Sequence, residues 1–224
     1  MKKPNKHPNK HSKDPHKETF EEQKERYETP YEDYEWLESL VKKLKLPVPT
    51  LDIMASRKNT KCIHYLDKKY DTTKNDFVIL DKKRKKRVRI PKSIFLNAPH
   101  KKYQFMVPQC EKQWQKYGFT IIALIPSRNE RTKYWKKVIE PNRFEVVNNG
   151  HIFYFPLDKR FIFEIDGKQM EIGKDKQIMH DPNGYKLVIW IGRDYLKDFK
   201  KNLKKFYQDY YVKPMKEEAK KSSK

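Results

Sequence analysis

The short run Ser93-Ile94-Phe95-Leu96 stops abruptly at Asn97-Ala98-Pro99-His100, and no other stretch limits the possible folds as much. Such a run, closed by Asn, Pro and His, reads as a buried strand. Tyr103, Met106, Cys110, Trp114 and Tyr117 then recur at three or four residues, as on the inward stripe of a helix that Gly118 stops. Pro108 is tolerable there only in the first turn. Residues 119–125 form a second apolar strand, ending in Pro126-Ser127-Arg128. Strand, crossover helix, strand makes a right-handed parallel unit and hence an α/β fold. Open α/β sheets take their ligands at the carboxyl ends of the strands, where this unit delivers Asn97 to His100. Taken alone, Asn-Ala-Pro-His is also ordinary turn punctuation, so its neighbours must decide.

Upstream, Thr29-Pro30-Tyr31-Glu32 joins an N-cap Thr, a Pro at the first helical position and a Glu placed for a capping box. Leu37, Leu40, Val41 and Leu44 continue as one apolar stripe, so a helix is expected over about 30–45. Pro47 and Pro49 end it and lead into a short strand over 50–54. Residues 76–80 are the next strand-like run, followed by the cluster Lys82, Lys83, Arg84, Lys85, Lys86 and Arg87 and then by 88–90. That cluster is either a solvated hairpin tip or a phosphate-contacting loop. Ser127 or Asn129 is expected to cap a helix carrying Tyr134, Trp135, Val138 and Ile139.

Beyond Pro141 the pattern shifts to strand-like runs at 144–147, 152–155, 161–165 and 170–172, with Asp166-Gly167 as a two-residue hairpin turn. Residues 185–191 are the last strong strand. A final amphipathic helix over about 194–212 turns Leu196, Phe199, Leu203, Phe206 and Tyr210 inward. The expectation is one α/β domain over 27–212: a mostly parallel sheet with helices on both faces and an antiparallel C-terminal part. A basic N-terminal arm (1–26) holds Phe20 as its one large apolar residue after Met1, too little to offset its ordering entropy, and a basic tail (213–224) closes the chain.

Charge narrows the function. With 52 Lys and Arg against 30 Asp and Glu, the 224-residue chain carries a formal net charge of +22, a field that gathers polyanions. DNA or RNA is the leading partner. No run of ~18 apolar residues and no apolar leader is present, so the reading is soluble and intracellular, cytoplasmic at DNA, with no membrane partner. Cys62 and Cys110 fall in no metal-ligand spacing and read as reduced thiols; His7, His11 and His16 lack anything to fix them, so no metal is expected. Nothing in the chain specifies an oligomeric state.

Taken in order, the motifs resemble the phage-type, Dam-like DNA adenine-N6 methyltransferases, which depend on S-adenosylmethionine. In that family a Thr-Pro helix precedes a Leu-Asp-x-x-Ala-(Ser/Thr) strand with a downstream Asn-x-x-Cys, matched here by Leu51, Asp52, Ala55, Ser56, Asn59 and Cys62. An Asp-Trp pair is matched by Asp76-Phe77, and Asn-Pro-Pro-(Tyr/Phe) by Asn97-Ala98-Pro99-His100. Leu-Pro-(Ala/Ser)-Arg with a downstream Thr and Trp is matched by Ile125-Pro126-Ser127-Arg128, Thr132 and Trp135. Ala98 in place of Pro, His100 in place of an aromatic ring, and the lack of a Gly-x-Gly after the first strand are departures, the last shared by members of the family.

The resemblance implies a Rossmann-like methyltransferase fold that uses S-adenosyl-L-methionine to methylate adenine N6 in DNA. Thr29, Pro30, Asp52, Ala55, Asp76, Phe77 and Asn97 would line the donor pocket, with Asp76 accepting from the donor's adenine amino group. Asn97, Ala98, Pro99 and His100 would form the catalytic loop. Lys82 to Arg87 and Arg128 would meet DNA. The chemistry agrees: methyl transfer to an amine needs acceptors that align its lone pair, which the Asn97 oxygen and the Ala98 carbonyl supply. His100 would stack on a base taken out of the helix. A catalytically degenerate nucleic-acid-binding module and an N4-cytosine methyltransferase are the competing readings.

Overall fold

A computed structural model describes residues 29–55, 57–66, 70–80, 87–145, 147, 149–157, 164–165, 168–169, 171–172, 177–178 and 184–208. The arm 1–26, the tail 213–224, Ser56, the cluster Lys82 to Lys86 and the Asp166-Gly167 turn lie outside them.

The strands, in chain order, are β1 (Leu51–Ile53), β2 (His64–Leu66), β3 (Ile79–Leu80), β4 (Arg87–Arg89), β5 (Ser93–Leu96), β6 (Thr120–Pro126), β7 (Ile152–Pro156), β8 (Glu164–Ile165), β9 (Lys168–Gln169), β10 (Glu171–Ile172), β11 (Gln177–Ile178) and β12 (Tyr185–Trp190). Six of them form the central sheet, in the spatial order β2-β1-β5-β6-β12-β7. The first four in space are parallel, with Leu51 level with His64 and Ile94, and Ser93 level with Thr120. β12 inserts antiparallel between β6 and β7, so the sheet is mixed. Around it β3 pairs with β4, β8 with β9, and β10 with β11. Ile165 pairs antiparallel with Lys168.

Alternation along the strands builds two cores. Ile94, Leu96, Ile121, Ala123, Ile125, Val188 and Trp190 share one core with Met106, Val107 and Cys110, the buried stripe of a helix over Tyr103–Tyr117. Phe95, Ile122, Leu124, Leu187 and Ile189 face the other way, under helices over Tyr31–Lys43 and Arg193–Tyr207. In chain order these helices are α1 (Tyr31–Lys43), α2 (Tyr103–Tyr117) and α3 (Arg193–Tyr207), and they cover both faces of the sheet. The β5-α2-β6 crossover is the parallel unit expected from the apolar runs, and Gly118 ends α2 at φ 71°, a left-handed cap.

Several local expectations are corrected. Thr29 does not cap α1; Pro30 holds the cap position without a side-chain hydrogen bond, and the Thr29 hydroxyl is taken by Asn97. Pro108 lies in the second turn of α2, where Gln104 and Phe105 are exposed and water can serve the carbonyl that a proline leaves unpaired. Phe144 and Glu145 make a turn rather than a strand, and Arg143 forms a single parallel bridge with Ile152. A Cβ on Gly150 would lie 2.3 Å from the Arg143 carbonyl oxygen, so this tight return admits only glycine. The segment after Ser127 is a 3-10 turn, followed by a π-helical stretch (Trp135–Ile139), with Trp135 and Ile139 buried as expected.

Candidate active site

Asn97 closes the carboxyl end of β5 and ties two helices to it. Its Nδ2 donates to Thr29 Oγ1 at 2.8 Å, just ahead of α1, and its Oδ1 lies 3.3 Å from the Tyr103 hydroxyl in the first turn of α2. Tyr103 has one proton to give, and the Leu124 carbonyl, at 2.5 Å, takes it. The Asn97 oxygen therefore keeps acceptor capacity at the edge of the sheet.

Beside it opens a small cleft lined by Thr29, Asp52, Met54, Ala55, Asn59, Lys61, Phe95 and Asn97. Register explains its floor: Asp52 and Phe95 are paired neighbours on β1 and β5, so both side chains emerge on the α1 face. The Tyr34 ring of α1 meets Phe95 edge-on, at 5.0 Å between centroids. The chain then returns across the cleft, and the Lys61 amide donates to Asp52 Oδ2 at 2.9 Å. Met54, at the turn out of β1, holds φ 69°, a left-handed conformation usually left to glycine. That strained residue stands where a Gly-x-Gly would, and no local pattern around it announces the strain.

Burial pushes the Asp52 carboxyl up to about 7, against the Lys61 amide and ammonium, which pull it down. A carboxyl raised on folding favours the folded state while protonated, and that advantage is lost as pH rises from about 4 toward 7. Thermal unfolding should therefore show the wild-type midpoint falling across that window, and Asp52→Asn should flatten the fall. Equal pH slopes in the two proteins would refute the shift. Next to Asp52, the half-buried Cys62 Sγ is 3.3 Å from the Tyr34 hydroxyl, and burial raises the thiol's pKa, so Cys62 is a poor nucleophile.

Thr29, Asp52, Ala55 and Asn97 thus meet as expected, with Pro30 half-buried alongside and Met54, Asn59, Lys61 and Phe95 added to the lining. Asp76 and Phe77 do not join them. The Asp76 carboxylate accepts from Lys116 Nζ at 2.7 Å, the Tyr117 hydroxyl at 2.6 Å and Gln113 Nε2 at 3.0 Å. Those residues end α2, whereas Asn97 meets its start, roughly 20 Å away at 1.5 Å per residue. Desolvation opposes ionisation of Asp76, but these three hydrogen bonds and the Lys116 charge overcome it and hold the carboxyl at about 2. Phe77 is fully buried in the α2 core, with its amide on Gln113 Oε1. Gln113, Lys116 and Tyr117, spaced three and four apart on one helix face, were the available sign that Asp76 is anchored there.

In the loop after β5, Ala98 is buried and Pro99 half-buried, and the Pro99 carbonyl accepts from the Lys102 amide at 2.8 Å to start the 3-10 turn His100–Lys102. Arg128 lies on the backbone just past β6, at the same carboxyl edge as Asn97, and Arg87 opens β4. Among the described residues, no group of three or more His, Cys, Asp and Glu could hold a metal, and no helix is long and apolar enough to cross a membrane.

No curated protein and no solved structure matches the chain. The family model described as DNA N-6-adenine-methyltransferase (Dam) matches residues 16–199, well over half of the sequence and with the whole Asn97 cleft inside it, and the chain therefore belongs to that family.

Proposed function

We propose that the protein transfers a methyl group from S-adenosylmethionine to the N6 amino group of adenine in DNA. The observation that carries this reading is Asn97: a carboxamide with a spare acceptor at the carboxyl edge of a parallel strand, held through its Nδ2 by Thr29. Four parallel strands with helices on both faces, and an antiparallel β12 between β6 and β7, support a Rossmann-like methyltransferase fold.

The cleft's groups suit the donor. Asp52 would accept from ribose hydroxyls, Asn59 and Thr29 would supply polar contacts to the rest of the molecule, and the buried Phe95 would back the floor. Bound there, the sulfonium supplies an electrophilic methyl group. The protein's own task is to hold the amine. Asn97 Oδ1 and the Ala98 carbonyl would accept its two hydrogens, which aims the lone pair and draws off positive charge as the new bond forms. Proton loss can follow transfer, so no strong base is required.

The test is transfer of a radiolabelled methyl group from the donor to unmethylated DNA. Label in DNA supports the reading. A protein that binds DNA but neither binds the donor nor transfers label is the degenerate module to which Ala98 and His100 would point.

A further inference from the structure

Five large hydrophobic side chains are strongly exposed among the described residues: Tyr31, Ile63, Ile90, Phe105 and Val147. The two aromatic ones, Tyr31 and Phe105, both occupy the first turns of the helices that Asn97 joins, α1 and α2. Phe105 is 53% exposed, on the face of α2 opposite Tyr103, Met106 and Val107, so it contributes little to the core. A single exposed ring is ordinary by itself; what sets Phe105 apart is its place in the turn that follows the Asn97 loop, next to Lys101 and Lys102.

Charge identifies the kind of partner. Lys101 and Lys102, in the turn before α2, are exposed, as are Arg131 and Lys133 after β6 and Arg57 and Lys58 after β1, all near the carboxyl edge. The nearby Glu130 is neutralised by Lys186 at 2.6 Å. Glu32, beside Tyr31, leaves the α1 side less basic, so the cation-flanked aromatic is Phe105. A bare ring that follows two exposed lysines, on an edge that bears further exposed cations, matches a polyanion with stacked bases.

We infer that Phe105 enters the DNA base stack next to the target, with Lys101 and Lys102 on the flanking phosphates. This rests on the methyltransferase reading and deepens it: extruding a base leaves a gap, and an apolar wedge that fills it offsets part of the unstacking. The ring would also take up support that His100, smaller than Tyr or Phe, provides less well.

The full-length protein is compared with Phe105→Ala and Phe105→Trp, reading affinity for unmethylated genomic-DNA fragments by anisotropy over a salt series. Loss of one stacked ring should weaken Phe105→Ala roughly 10- to 100-fold at every salt concentration, with the salt slope unchanged because every phosphate keeps its cation. Phe105→Trp should retain affinity. An unchanged melting temperature, expected for an exposed residue, shows that folding is not the cause. Wild-type affinity in Phe105→Ala overturns the inference, as does a change in its sedimentation without a change in DNA binding, which would mark a contact between copies of the chain. Donor binding and methyl transfer are read separately on the wild type, so failure of the methyltransferase reading would show there and not in the anisotropy.

Discussion

Asn97→Ala should lower methyl transfer at least about 10²- to 10³-fold while donor affinity and bulk DNA affinity stay within a few-fold, because its oxygen acts chiefly on the transition state. Losing the bond to Thr29 should cost about 1 kcal/mol of stability, so the variant should fold and its inactivity be readable as chemistry. Asn97→Asp keeps an acceptor for the amine and one for the Thr29 hydroxyl, and should retain far more activity than Asn97→Ala. Equal loss in both variants would mean that Asn97 only holds α1 and α2 in place. His100 divides the mechanism further. If it stacks on the base, His100→Tyr preserves or raises the rate and His100→Ala lowers it; if it is a general base, His100→Tyr is inactive and the wild-type rate falls below pH ~6.5.

The second large effect concerns salt. A chain of net charge +22 that neutralises even ~6 phosphates should lose about 10³-fold in DNA affinity between ~50 and ~200 mM salt. Two sets of cations compete for that slope: the sequence cluster Lys82 to Arg87, and the exposed Lys101, Lys102, Arg131 and Lys133 near the Asn97 edge. Neutralising either set should flatten the plot of log affinity against log salt by about one unit for each phosphate deprived of its cation. A slope that neither set changes would place the DNA elsewhere on the molecule.

What the sequence disclosed followed from patterns that are local or nearly so. The apolar runs at Ile94 and Ile121 with Gly118 between them specify a parallel crossover, because no other connection fits a helix of that length. The run 119–125 reads as a buried strand, and the structure shows Ile121, Ala123 and Ile125 in one core and Ile122 and Leu124 in the other. Leu37, Leu40 and Val41 mark the buried face of α1 in the same way.

Two of the misses share one cause: a side chain with a good local use was claimed by a distant partner. Thr29 is a natural cap, but the Asn97 amide, 68 residues on, takes its oxygen. Asp76 beside an aromatic suggests a ligand site, yet the end of α2 provides three donors that local sequence cannot weigh. Residues 144–147 form a strand-like run, but Phe144 and Glu145 turn, and Gly150 comes back close against Arg143. In the cleft, Asp52, Ala55 and Asn97 were legible as motif positions. Phe95 and Lys61 were not, because strand register and a returning loop bring them there.

The most direct test of the account is mass spectrometry of nucleosides from unmethylated DNA incubated with the full-length protein and isotopically labelled S-adenosylmethionine, run alongside Asn97→Ala. The account predicts labelled N6-methyladenine from the wild type and essentially none from the variant. Label on cytosine N4 would contradict the assigned base, and no labelled nucleoside at all, from a protein that still binds DNA, would contradict the catalytic role given to the Asn97 cleft.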